Sequence, residues 1–207
     1  MSDGYTALAE TVHRVDALID EARLNRDEVL DIADLSDRTG EPESVVKTLL
    51  KGHPCRGEEY DARVIRRLLY LRETRRRPFR GASHFSREGT QVSWEQIAQA
   101  GQITRQGLSA SVANSKAPNG RSLLGIEDFF QVRNGYLTAT APKALRIALE
   151  LVIPSLESTV KIKEMENRLG ATVALRMPTE QVKNLTPKQI DLLTAIATDM
   201  IDRNTQP

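Results

Sequence analysis

Apolar residues along the chain recur mostly at three- and four-residue intervals, the period of a helix with one buried face. Leu8, Val12, Val15, Leu18 and Ile19 predict a helix from about Tyr5 to Arg23. A short helical unit follows from about Glu28 to Leu50, closed by a turn through Lys51-Gly52-His53-Pro54. Val64, Leu68 and Leu71 predict a helix over about 60–76, ended by Pro78 and followed by an exposed loop over 78–91 rich in Gly, Ser and Arg. Helices resume at about 93–101, 104–114 and 121–131, with Ala117-Pro118-Asn119-Gly120 as the turn between the last two. After Asn134-Gly135 a longer helical region runs over 142–169, interrupted near Pro154. The final element, about 187–203, opens with Thr186 as N-cap and Pro187 at the first helical position. Its apolar stripe is Ile190, Leu193, Ile196, Ala197, Met200 and Ile201.

Aromatic residues make up only 4% of the 207, which leans the fold towards helix, because sandwiches and barrels draw on aromatic and β-branched residues at alternating positions. The expected class is all-α. No apolar run reaches the length of a membrane span and the N-terminus lacks a signal-peptide pattern, so a cytoplasmic protein is expected. The single cysteine, Cys55, excludes an internal disulfide framework. His13, His53 and His84 share no ligand spacing with it, and no metal or other cofactor is expected. No phosphate loop, nucleophile elbow or paired-carboxylate constellation appears, which argues against an enzyme.

The net charge of +1 conceals a strong asymmetry. Residues 1–50 carry twelve acids against five bases, and residues 51–88 carry eleven bases against five acids. The second segment holds Arg63, Arg66, Arg67, Arg72, Arg75, Arg76, Arg77, Arg80 and Arg87. A charge run is often a solvated helix face, but a dense local one also makes an anion-binding surface.

The stretch SWEQIAQAGQITRQGLSASV, residues 93–112, reads as a helix-turn-helix. Ala98 supplies the small residue where two short helices approach, and Ile97, Ile103 and Leu108 supply the inner apolar face. Small polar and basic residues then open the second helix, as a helix entering the major groove requires. Thr104, Arg105, Gln106, Ser109 and Ala110 are the candidate base-reading set, since arginine reads guanine and glutamine reads adenine in a bidentate manner. Arg63, Arg67, Arg75, Arg76, Arg77, Arg80 and Arg87, with Lys116 and Arg121 beyond the second helix, are the candidate contacts to the DNA backbone. The turn position that usually holds glycine falls on Gln102, with Gly101 one residue earlier, so a slightly irregular turn is expected.

A second stretch, LSDRTGEPESVVKTLLKG over 35–52, has better spacing: Leu35, Ser36, Gly40, Val46 and Leu49 fall where the motif wants them. Its leading carboxylates, Glu41 and Glu43, would repel phosphate, although Ser44, Lys47 and Lys51 lie on the same helix. DNA reading and an accessory, protein-contacting role both remain open for it.

The arginine-rich ARVIRRLLYLRETRRRP, the helix pair at 93–113, the turn SKAPNG and above all IEDFFQVRNGYLTA resemble Cro/repressor-type (XRE) regulators of actinobacteria, of the EspR type. The C-terminal ATVALRM and LTPKQIDLLTAIATDMI are similar to that family's pairing region. The resemblance covers about 60–203. It implies a helical DNA-binding domain over 58–140, a dimerisation region over 141–207, and a homodimeric transcriptional regulator on double-stranded DNA. Residues 1–57, an acidic segment with the second helix-turn-helix-like unit, are an addition to the family pattern. A nucleoid-organising protein of the same fold is a close variant. The contrasting class is an antitoxin-like or other protein-interaction module, in which the acidic segment occupies the basic one.

Overall fold

The computed structural model describes residues 3–76 and 89–169. Every regular element among them is a helix: α1 (Asp3–Glu21), α2 (Arg26–Val29), α3 (Ile32–Thr39), α4 (Glu43–Leu50), α5 (Tyr60–Thr74), α6 (Trp94–Ala100), α7 (Arg105–Ala113), α8 (Gly120–Phe129), α9 (Ala141–Glu150) and α10 (Ile153–Leu169). Among the described residues no helix is long and apolar enough to cross a membrane. The expected dimerisation element at 187–203 lies outside the described residues.

The expected unit at 28–50 is divided twice: Leu30 caps α2 ahead of α3, and Gly40 and Pro42 separate α3 from α4. The expected interruption near Pro154 falls at Leu151–Val152, and Pro154 stands in the first turn of α10, where its missing N–H has no helical partner to lose.

The chain divides into two compact units, with the boundary inside α9. One gathers the residues up to Asp31 with those from Arg146 onward; the other is Ile32–Leu145. The division cuts across the segments 1–57, 58–140 and 141–207, since α3 and α4 belong with α5–α8.

In the first unit α1 packs against α10. Leu8, Val15, Ile19 and Ala22 of the α1 segment are buried, as are Ile153, Leu156 and Val160 of α10. An exposed ion pair, Arg14–Glu157 at 2.6 Å, joins the two helices. Burial decides this packing: each large apolar side chain contributes about 1.5–3 kcal/mol, against about 0–1 for an exposed pair. Lys163 Nζ donates to the carbonyl of Ala22, satisfying an end of α1.

The core of the second unit is built from Val64, Leu68 and Leu71 of α5, Ile97 and Ala98 of α6, Leu108 of α7, and Leu123, Ile126 and Phe130 of the α8 segment. Tyr136 and Leu137 close it from the segment after α8. Glu127, 1% exposed, holds that segment: its carboxylate accepts from the amides of Gly135 at 2.9 Å and Leu137 at 2.8 Å. The most specific part of the family-like pattern, FFQVRNGYLT, is therefore a closing device for the core. Phe129 and Phe130 meet edge to face at 5.1 Å, with Phe129 and Val132 packed against the core's rim.

Candidate nucleic-acid interface

Ser93 starts α6 with a reciprocal cap: its hydroxyl accepts from Gln96 N at 3.2 Å, and the Gln96 side chain accepts from Ser93 N at 3.1 Å. Ile97 and Ala98 face the core. The helix ends in a Schellman turn, with Ile103 N donating to Ala98 O at 3.0 Å and Gln102 in the left-handed region at φ 53°. The turn is thus regular, contrary to expectation, although its left-handed residue is not glycine. Gly101 serves another need. A Cβ there would come within 3.2 Å of the Ile126 side chain, and a Cβ at Gly125 would come within 2.2 Å of Ala100 O. The backbones of α6 and α8 touch here, and two glycines allow it.

Thr104 caps α7 by accepting from Gly107 N at 3.0 Å. Leu108 anchors the helix in the core, with Ile103 and Val112 at its edge. This leaves Thr104, Arg105, Gln106, Ser109 and Ala110 exposed. All five candidate base-reading residues therefore lie together on one outward surface. Thr104 has its oxygen committed to the cap, so its place in the set is first a structural one. Lys116, in the turn after α7, and Arg121, in the first turn of α8, are also exposed. Neither α7 nor α8 carries an acid in its first turn.

The arginine run divides into two kinds, and here the sequence expectation is corrected. Arg67 is 0% exposed. It donates to Glu41 Oε1 at 2.5 Å and to the carbonyl of Tyr136, with its guanidinium over the Tyr136 ring. Arg63 is buried too, donating to the carbonyls of Glu58 at 3.1 Å and Thr138 at 3.2 Å. Arg75 is bound to Asp37 at 2.5 Å. Arg66 joins Gly40 O, Glu41 and Glu58, and Arg72 donates to Val92 O and covers the Trp94 ring at 4.5 Å. These side chains hold the unit together. Arg63 and Arg67, being buried, do not present their charge to a phosphate and leave the backbone-contact set, whereas Arg75 is half-buried and ion-paired. Arg76 stays in it, being exposed. Arg77, Arg80 and Arg87 lie outside the described residues.

Two of the carboxylates that engage these arginines, Asp37 and Glu41, come from α3 and the turn after it. Asp37 accepts from Tyr70 Oη at 3.0 Å as well as from Arg75, and its carbonyl accepts from Tyr136 Oη at 3.2 Å. Glu41 bridges Arg66 and Arg67. Burial pushes the Arg67 guanidinium below its ordinary value and the Tyr136 phenol well above its own. The hydrogen bond from Arg66 holds the Glu58 carboxyl below the usual carboxylate range. The sequence carried one signal for this cluster: positions 63, 66, 67 and 70 fall on a different side of a helix from 64, 68 and 71.

Ser44, Lys47 and Lys51 are exposed on and just after α4. They are brought into the same compact unit as α7, on a separate element. In comparisons with protein-family models, curated proteins and solved structures, nothing matches this chain.

Proposed function

We propose that the protein is a transcriptional regulator that binds double-stranded DNA by inserting the N-terminal half of α7 into the major groove. The observation that carries this reading is the outward surface of α7. Arg105, Gln106, Ser109 and Ala110 stand exposed together on a helix without a carboxylate, behind a capped start and a regular turn. Such a surface suits base edges: arginine for guanine, glutamine for adenine, serine for either, alanine for the thymine methyl. Lys116, Arg121 and Arg76 supply charge for the flanking phosphates. The Cro/repressor-type resemblance points the same way and adds a homodimer formed through the C-terminal region. A nucleoid-organising protein would use the same surface with a lower specificity ratio.

The contrasting reading, a protein-interaction module whose acidic segment covers the basic one, has an observation of its own. Asp37 and Glu41 do engage Arg75, Arg66 and Arg67. Yet Arg67 and Glu41 are buried, which favours a permanent structural contact over a removable mask.

The test is selection from a random duplex pool followed by gel-shift titration across a salt series, comparing the wild type with Arg105→Ala/Gln106→Ala. The wild type selects a defined motif. The variant loses preference at the corresponding positions, about 1–3 kcal/mol for each bidentate contact removed, with unchanged thermal stability. The reading fails if no duplex binds tighter than about 10⁻⁴ M near physiological salt.

A further inference from the structure

Two carboxylates lead α4 and would repel phosphate, and the fold turns one of them away. Glu41 is 5% exposed and turned inward, where Arg66 and Arg67 neutralise it. Glu43 remains outside, but Lys47 one turn along pairs with it at 3.2 Å. Val46, Leu49 and Leu50 are buried, so α4 turns outward Glu43, Ser44, Lys47 and, at its end, Lys51. This is a coherent set for base edges and phosphates. Lysine donates to guanine, serine to any base, and a carboxylate accepts from cytosine N4.

The second observation is how the α3–α4 pair is mounted. Gly40 takes the left-handed turn at φ 65°, and a Cβ there would come within 2.6 Å of Tyr136 Oη and 3.1 Å of Arg67 Cγ. The turn is therefore the docking side of the pair, seated on α5 and on the segment after α8. Asp37 adds bonds to Tyr70, Arg75 and Tyr136. A helix on a flexible tether would sample many separations from α7; one fastened by a buried ion-pair cluster keeps a single one.

The geometry points to α4 as a second DNA-reading helix, so that one chain recognises a composite duplex site of two segments whose spacing the Glu41–Arg66–Arg67 cluster fixes. This rests on the reading of α7 above. A protein partner for α4 is the competing outcome.

The experiment uses the full chain and the same random duplex pool. It compares the wild type with Ser44→Ala/Lys47→Ala/Lys51→Ala and with Arg105→Ala/Gln106→Ala, reading both the selected motif and the length of duplex protected from nuclease. All five positions are exposed, so folding is spared. The wild type is expected to select two information-bearing segments. The α4 variant loses one of them, shortens the protected length and binds about tenfold more weakly. The α7 variant loses the other segment. Glu43→Gln, which keeps size and removes charge, shifts the preference at one base position of the α4 segment. The inference is overturned if the α4 variant selects the wild-type motif, protects the same length and binds within about twofold of the wild type. The α7 reading then stands alone. If instead the α7 variant keeps the whole motif, that reading fails separately, and a wild type that selects nothing ends both.

Discussion

In the α3–α4 pair the residue with left-handed backbone is a glycine, Gly40; in α6–α7 it is Gln102, and the glycine stands one position earlier. The difference follows from what each turn touches. The α3–α4 turn is pressed against Tyr136 and Arg67, so its left-handed residue has neither the backbone freedom nor the room for a Cβ. Gln102 is exposed, and its side chain extends into solvent. The crowding in α6–α7 lies on the preceding residue, where α6 meets α8. A glycine in a turn motif thus answers either to a backbone angle or to a neighbour, and only tertiary structure says which. The same contrast holds for charge. The first pair turns two of its acids, Asp37 and Glu41, inward onto arginines, whereas the second keeps its cation, Arg105, outward.

The largest effect expected from breaking this contrast is at Arg67. Arg67→Ala leaves Glu41 as a buried carboxylate without its closest partner, and unfolding free energy falls by about 3–5 kcal/mol in denaturant titrations followed by circular dichroism. The double replacement Glu41→Leu/Arg67→Met recovers most of that loss, because replacing a buried ion pair by apolar groups is close to neutral. Arg105→Ala, by comparison, leaves the midpoint unchanged. A loss of similar size at Arg105 would mean that α7 also holds its charge inward.

Next come the glycines. Gly125→Ala puts a Cβ within 2.2 Å of Ala100 O, and Gly40→Ala combines a left-handed backbone with a clash on buried Tyr136. Each is expected to destabilise by about 1–3 kcal/mol. Melting curves that do not move would show that α6 and α8, or the Gly40 turn and Tyr136, stand further apart than described. Smaller and opposite in sign, Gln102→Gly relieves the left-handed backbone and raises stability by up to about 1 kcal/mol, while Gly101→Ala lowers it.

The smallest effect is on pH dependence. The folded-state pKa of Glu58 lies below its unfolded value, so its contribution is present above the ordinary carboxylate range and is lost as pH falls through the lowered value. The wild type therefore loses stability on acidification more steeply than Glu58→Gln. Equal slopes in thermal melts between neutral pH and pH about 3 would remove Glu58 from the account.

Helix positions were legible because burial imposes a period: the spacing of Val64, Leu68 and Leu71 marks α5, and Ser93 and Thr104 mark the starts of α6 and α7. The exposure of Arg105, Gln106 and Ser109 was legible for the same reason, since Leu108 fixes which side of α7 faces the core. What could not be read was the fate of the arginines. Arg67 and Arg76 are the same residue type in the same run, and only the first meets Glu41, 26 residues away in sequence. Helix phase sets Arg67 apart from Val64, Leu68 and Leu71, but a partner so distant in sequence leaves no local trace. The unit boundary at Asp31 escaped for a related reason: Asp37 and Glu41 meet arginines in and just after α5 that stand 25 to 38 residues away in sequence.

The chain has one tryptophan, Trp94, at the first position of α6, and the Arg72 guanidinium covers its ring at 4.5 Å. The indole therefore sits where α5 and the start of the α6–α7 pair are joined, and its emission arises from that joint alone. A tilt of α6 against α5 when a ligand arrives would change the distance between the ring and the cation, and with it the intensity of the signal. The protein thus carries an optical gauge of its own beside the surface in question, in full-length material and without an attached dye.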